Sequence, residues 1–440
     1  MKDARQIAYE ALLRFERDKA YSNMIVDSAL DAEKPNETES SFATFLIYTT
    51  LENLLTLDYN ISLYLRQDVG KLRSEILSAL RLGACQILFS DKVPLSAAVN
   101  ESVKIIKKTK AAYASGFVNA VLRNISKNGL RLPDPKEDEL QYLSIKFSVP
   151  VWLIKLWQNS YGIEKTNDII GTLKKRPPLY LRVNKLKNSA ESLVTKLRNS
   201  GIEAEVCTGV EYAVAVNNAG KLWKSNEYLE GLFYVQDLSS QIFCDSLNIK
   251  AGQAVLDLCA APGGKTFTVA QQTGLGGIVK AYDIHANRVA LIKEGAKRLG
   301  FSNVDALVGD ASVFNPDIGW ADMVICDVPC SGFGVLRRKP EVRYKTADSV
   351  DNLPELQYRI LVNASNYVSD SGLLVYSTCT LNPQENEEVC KRFLKENPLF
   401  SEQVIDSFDN GFGRTIFPQD YDSDGFFYFL FRKAKAIGSI

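Results

Sequence analysis

Residues 255–266 read Val255-Leu256-Asp257-Leu258-Cys259-Ala260-Ala261-Pro262-Gly263-Gly264-Lys265-Thr266: an apolar run, then small residues and two glycines, then polar sequence of helical composition. That order predicts a buried strand, a tight glycine loop and a helix. The backbone of such a loop approaches a ligand closely, and the helix start offers free N–H groups. Downstream, Ile278–Tyr282, Val304–Val308, Met323–Cys326 and Leu373–Tyr376 repeat the strand signature. Between them, Thr266–Gln272, Asn287–Leu299, Val350–Val368 and Glu385–Glu396 have helical composition, and residues 425–431 read as a final strand. Alternating strands and helices predict an α/β fold, a doubly wound and mostly parallel sheet covered on both faces.

The ligand of that loop follows from what the loop lacks and what surrounds it. Gly-x-Gly-x-x-Gly, the dinucleotide fingerprint, is absent. Gly264-Lys265-Thr266 matches the end of a P-loop, and Met323–Asp327 resembles a strand ending in a metal-binding aspartate. The first P-loop glycine would fall at Cys259, however, where a Cβ obstructs the phosphate nest. Asp283 ends the second strand about 20 residues after the glycines, where an acid accepts from ribose hydroxyls. Asp310 ends the third strand and is placed to accept from an adenine amino group. Either aspartate alone is equally well read as a helix cap. Two in succession favour adenosine, and their charge disfavours a phosphate-rich cofactor. S-adenosylmethionine, a sulfonium cation, fits. His285, the single histidine, is expected only to line the adenosine end.

Two cysteines lie just beyond strands: Cys330 in Asp327-Val328-Pro329-Cys330 and Cys379 in Ser377-Thr378-Cys379-Thr380. Cys244, Cys326 and Cys390 read instead as small buried hydrophobes. If the five strands lie in the order 3-2-1-4-5, the fourth and fifth are neighbours about 4.8 Å apart. Both thiols then overhang one cleft beside the cofactor. Methylation of a pyrimidine ring carbon needs this equipment. Carbon 5 of cytosine is a poor nucleophile until a thiolate adds to carbon 6, and the thiol must later be expelled. One cysteine adds and the other assists release, with Asp327 placed to stabilise the adduct at ring nitrogen 3. A free thiol is only a few per cent ionised at neutral pH, so the attacking sulfur needs activation, for which Lys265 is the candidate.

The remainder of the chain looks different. At 440 residues the length suits about three domains. Residues 1–131 look all-helical, with apolar positions such as Ala8, Leu12 and Phe15 on one face. A polar linker follows, then a small mixed α+β region over 140–235 and the α/β part over 236–440. No apolar run approaches the roughly 18–20 residues of a membrane span, and the start has no secretory core. Eight cysteines without a Cys-x-x-Cys pair suit a reduced cytosolic protein, and one histidine makes a zinc site unexpected. Fifty-two basic residues balance 52 acidic ones, so any nucleic-acid signal must be local. Lys104, Lys107, Lys108, Lys110, Arg123, Lys127 and Arg131 form such a stripe, equally readable as a solvated helix face.

Taken in order, these motifs resemble the RNA 5-methylcytosine methyltransferases, and within them the bacterial 16S ribosomal RNA methyltransferase B (Sun or Fmu) group. The likeness includes Asp257–Thr266, Asp283, Gly309-Asp310, residues 327–332, Arg337-Arg338-Lys339-Pro340, and Ser377-Thr378-Cys379-Thr380 with Pro383-Gln384-Glu385-Asn386-Glu387. Arg81-Leu82-Gly83-Ala84, Ala98-Val99-Asn100-Glu101 and residues 117–123 resemble the NusB-like domain that opens these enzymes. The resemblance implies a Rossmann-like catalytic domain and an activity that methylates carbon 5 of a cytosine in 16S ribosomal RNA. It implies Cys379 as nucleophile, Cys330 as helper in release, and cofactor contacts at Cys259, Ala260, Ala261, Pro262, Gly263, Gly264, Lys265, Asp283, Asp310 and Asp327. It makes the basic stripe an RNA surface and adds Arg337, Arg338, Lys339 and Arg343 as RNA contacts near the cleft. Val328 and Phe333 stand where the family more often has Ala and Thr. The substrate is expected as naked RNA or a small-subunit precursor, and the enzyme as a monomer. A P-loop nucleotide hydrolase with an RNA-binding arm and a non-catalytic RNA-assembly factor are the rival readings.

Overall fold

The computed structural model describes residues 2–18, 22–217, 220, 222–404 and 412–435. Contacts sort the chain into two units: one runs to Lys174 and includes Leu336–Ala347, the other holds Lys175–Val335 and the chain from Asp348 on. The stretch 140–235, read from sequence as one domain, is therefore shared between them.

The first unit is helical: α1 (Ala4–Asp18), α2 (Ser22–Glu33), α3 (Glu37–Glu52), α4 (Leu54–Ser62), α5 (Ser74–Phe89), α6 (Leu95–Lys107), α7 (Ser115–Asn128), α8 (Glu139–Phe147), α9 (Val151–Tyr161) and α10 (Ile163–Thr172). Leu46, Leu57, Leu80 and Leu122 are among the fully buried side chains of its core. Gly83 permits a close helix approach, because a Cβ there would lie 2.5 Å from Leu122 and 2.8 Å from the Ser102 hydroxyl. Its neighbour Arg81 pairs with Asp58 at 2.7 Å and with Glu16. The inserted segment 336–347 is anchored by Arg343, which donates to the carbonyls of Leu336 and Glu52. Tyr344 likewise donates to the Leu51 carbonyl at 2.6 Å.

The second unit opens with a four-stranded antiparallel sheet of β1 (Leu179–Val183), β2 (Ala204–Val206), β3 (Ala213–Val216) and β4 (Phe233–Val235), in the order β2-β3-β1-β4. α11 (Ala190–Asn199) presents Leu193, Val194 and Leu197 to the core it shares with Leu181 and Val183 of β1. α12 (Asn226–Leu229) and α13 (Leu238–Ser246) lead into the large sheet. Its strands are β5 (Ala254–Asp257), β6 (Ile278–Asp283), β7 (Val304–Val308), β8 (Ala321–Asp327), β9 (Val368–Thr378), β10 (Phe400–Glu402), β11 (Arg414–Ile416) and β12 (Phe426–Lys433). The path is β10-β12-β9-β8-β5-β6-β7, with β11 on β12. Counted from β5 to β9, this is the expected order 3-2-1-4-5. The five are mutually parallel, and β12 runs antiparallel beside β9. Helices α14 (Gly264–Thr273), α15 (Ala286–Leu299), α16 (Leu353–Ser365) and α17 (Glu387–Glu396) make the crossovers and cover the faces; α18 (Pro418–Tyr421) precedes β12.

Candidate active site

Parallel pairing of β8 with β9 puts Asp327 directly opposite Ser377 at the carboxyl ends of the two strands. The chain then leaves each strand, and three residues past Asp327 and two past Ser377 stand Cys330 and Cys379. Their sulfur atoms are 3.3 Å apart. Both thiols are half-buried and neither is in a disulfide. The hydrogen bond to Cys379 and then burial push the Cys330 thiol well above its ordinary range. The two turns are laced together: the Ser331 and Thr380 hydroxyls meet at 2.6 Å, and the Gly334 N–H donates to the Cys379 carbonyl at 3.0 Å.

Asp327 is gripped from two sides. Ser377 Oγ donates to its Oδ1 at 2.9 Å, and Lys265 Nζ donates to its Oδ2 at 2.7 Å. Burial alone would lower the Lys265 ammonium, but the charge and hydrogen bond of Asp327 outweigh it and push the group up to about 12. Lys265 also lies 5.1 Å from the centre of the Phe426 ring. The lysine expected to activate Cys379 is thus held by Asp327, and its charge interacts with Cys379 from there.

The glycine loop forms as its composition requires. Gly263 has φ +110°, a left-handed conformation, and a Cβ there would come within 2.5 Å of the Phe267 ring. α14 starts at the next residue. Cys259, Ala260, Ala261, Pro262, Gly264 and Lys265 line a cavity of about 160 Å³ together with Asp237, Asp257 and Asp327. Burial pushes Asp257 up to about 7, against the hydrogen bond that it receives from Thr266 at 2.7 Å. Asp237 and Asp327 against one lysine give this cavity an acidic excess without counting Asp257. That excess and the exposed edge of the loop fit S-adenosylmethionine, whose sulfonium and amino groups are cationic.

The two strand-end aspartates behave differently from each other. Asp283 is buried, accepts from the His285 N–H at 3.1 Å and pairs with Arg288 at 3.1 Å. Arg288 also donates to the Ala261 carbonyl at 2.7 Å, so it ties this aspartate to the glycine loop. Nothing in the sequence pattern singled it out. Asp310 is exposed and caps its own turn, accepting from the Ser312 N–H and hydroxyl at 2.8 and 2.7 Å. It also lines a second cavity of about 240 Å³ with Leu258, Tyr282 and Tyr367. His285 is exposed at the start of α15 and lines neither cavity.

The expected RNA contacts divide. Lys104 and Lys107 on α6, Lys108 at its C-terminal cap and Arg123 on α7 are exposed. Arg343 is only 2% exposed and spends its guanidinium on backbone carbonyls, so its role is structural and the expectation of an RNA contact is corrected. Arg337 is buried too, Arg338 half-buried, and Lys339 exposed.

Fold and site together define a Rossmann-like, S-adenosylmethionine-dependent methyltransferase. The model of the 16S rRNA methyltransferase RsmB/F family matches residues 244–432, that of the NusB family residues 2–127, and that of the RsmF/B-like ferredoxin-like domain residues 149–222. The chain is 34% identical to the probable ribosomal RNA small subunit methyltransferase B of Bacillus subtilis, over 98% of both proteins. It is 30% identical to the probable enzyme of the same name in Synechocystis, over 99% of this chain and 100% of that one. Among solved structures, PH0851 superposes with a TM-score of 0.84 at 27% identity, over 98% of this chain and 99% of that one. A methyltransferase homologue from Pyrococcus horikoshii gives 0.60 at 26% identity, over 67% and 99%. The chain belongs to the RsmB/F family of small-subunit ribosomal RNA methyltransferases. This membership sets aside the nucleotide-hydrolase reading and makes ribosomal RNA the substrate. No helix among the described residues is long and apolar enough to cross a membrane.

Proposed function

We propose that the enzyme methylates carbon 5 of a cytosine in 16S ribosomal RNA through a transient bond between Cys379 and carbon 6 of the base. The observation that carries this reading is the pair of thiols 3.3 Å apart, one residue past β9 and three past β8, with Asp327 at the same strand ends. A methyltransferase acting on a nucleophilic oxygen or nitrogen has no use for two sulfurs there. When bound, S-adenosylmethionine supplies an electrophilic methyl group. The chain's own residues do the rest. Cys379 sulfur adds to carbon 6, and the displaced electron pair makes carbon 5 nucleophilic. Asp327 accepts from Ser377 and Lys265, so toward the base it acts as an acceptor suited to the amino group on carbon 4. The protonated Lys265 behind it supplies the positive charge that offsets the negative charge developing at nitrogen 3 on addition. After transfer, carbon 5 loses its proton and the carbon 6–sulfur bond breaks. Cys330, a thiol in hydrogen-bond contact with Cys379, gives its S–H proton to the departing sulfur and takes the carbon 5 proton in its place, so it ends as it began. The exposed cations Lys104, Lys107, Lys108 and Arg123 provide an RNA-binding face, and the target base is unstacked to reach the thiols.

The test separates the thiols. With Cys330→Ala, an enzyme–RNA adduct should accumulate and survive a denaturing gel. With Cys379→Ala, neither adduct nor product should form. The opposite pattern exchanges the two roles. Full-rate methylation by Cys379→Ser would end the covalent scheme, and bisulfite mapping of the product reads whether carbon 5 of cytosine is the target.

A further inference from the structure

The sequence motif around Pro383–Glu387 contains a carboxylate that the reaction scheme does not use. Glu385 is completely buried, among residues that carry the two thiol turns. Its Oε2 accepts from the Ser331 N–H at 2.8 Å, immediately after Cys330, and from the Gln357 amide at 2.9 Å. The same Gln357 amide donates to the Pro329 carbonyl at 2.9 Å, immediately before Cys330. Oε1 accepts from Asn382, three residues beyond Cys379, at 2.9 Å. The Glu385 carbonyl accepts from the Tyr376 hydroxyl of β9 at 2.5 Å. One side chain thus grips the Cys330 turn on one side and the loop after Cys379 on the other.

We propose that Glu385 is a positioning residue for methyl transfer, a buried carboxylate clamp that fixes the separation of Cys330 and Cys379 and keeps a negative charge behind Cys330. The inference rests on the two-thiol reading above. A buried carboxylate is retained at a cost that an apolar residue would not incur, so a merely structural filler is a poor explanation. Its charge supplies a second function. The groups facing Cys330 are Cys379, Glu385, Asp327 and Tyr376. Of these, Glu385 and Asp327 repel a thiolate at Cys330, and Asp327 is countered by Lys265. Glu385 therefore helps to hold Cys330 as the thiol and leaves ionisation to Cys379. Without that bias, a thiolate on the helper would compete for carbon 6.

The experiment uses the full chain with Glu385→Gln, which keeps an acceptor oxygen and removes charge, and Glu385→Ala, which removes both. S-adenosylmethionine affinity, measured by calorimetry, should stay within twofold and certify folding for each variant entered. Turnover on 16S ribosomal RNA should fall at least tenfold with the KM for S-adenosylmethionine unchanged. In a Cys379→Ala background, iodoacetamide alkylation of Cys330 should move to lower pH by about one unit when Glu385→Gln is added, a shift that a structural role does not produce. Wild-type turnover in both variants, or an unmoved alkylation profile in the Gln variant, overturns the proposal. Cys379→Ser is assayed alongside. Full activity there sinks the two-thiol reading, whereas an inactive Cys379→Ser beside normal turnover in both Glu385 variants sinks the clamp alone.

Discussion

At the residue scale, the site is a set of polar groups whose states are fixed by burial and by one another. Cys330 and Cys379 were legible because each follows a recognisable strand, and a thiol in a turn is not a core residue. Glu385, Gln357 and Arg288 were not legible as working residues. Their partners lie 28, 54 or 27 positions away in the chain, and such hydrogen bonds leave no periodic trace. Arg343 misled for a related reason: an arginine near the cleft in sequence looks like a phosphate ligand until its carbonyl partners are seen. Asp257 allows a pH prediction. Burial raises it from 3.8 to about 7 in the folded protein, so the folded state holds this proton more tightly than the unfolded chain. Its contribution favours folding fully below about pH 4 and is lost as pH rises through about 7. Asp257→Asn keeps an acceptor for Thr266 and cannot ionise. The variant should therefore gain thermal stability relative to wild type between pH 5 and 8, by on the order of a few kcal/mol at the upper end. Parallel melting-temperature curves for the two proteins across that range would refute the assignment.

At the element scale, the five parallel strands and their crossover helices were readable because each is a short apolar run bounded by turn residues. Their observed limits differ from the sequence expectation by a few residues, most at β9, whose polar start Ser369-Asp370-Ser371 hides a strand. β2, β3, β10 and β11 have three or four residues each, too few to establish a period. The glycine loop is the element whose sequence and geometry correspond most directly. Only glycine tolerates the Gly263 backbone without strain, and the Phe267 ring closes the space a side chain would need. Gly263→Ala should therefore weaken S-adenosylmethionine binding at least tenfold by calorimetry. Gly276→Ala, in the turn that follows α14 and with open space around its Cβ position, should bind within twofold of wild type. Equal affinities for the two variants would mean that the loop adapts and does not act as a fixed cradle.

At the scale of the whole molecule, a formal net charge of zero leaves no overall attraction to a polyanion, yet the substrate is RNA. Attraction must then come from where the charges lie. The cations Lys104 and Lys107 on α6, Lys108 at its C-terminal cap and Arg123 on α7 are exposed, with Lys107 three residues beyond Lys104 on the same helix face. Lys104 is partly spent on Glu101 at 2.6 Å, and Arg123 donates to Asn119. Both remain at the surface and are free to exchange such weak contacts for phosphate. Each phosphate neutralised releases condensed counterions, so binding through this face must weaken as salt rises, with a slope that counts the contacts. Replacing all four by glutamine should lower affinity for 16S ribosomal RNA about 10- to 100-fold at about 0.1 M salt and flatten the log–log salt slope by roughly 2–3. Affinity for S-adenosylmethionine should not change. Filter binding across a salt series reads both quantities at once. An unchanged affinity and an unchanged slope would place the RNA on another surface of the chain, while a changed affinity with an unchanged slope would point to lost packing and not lost phosphate contacts.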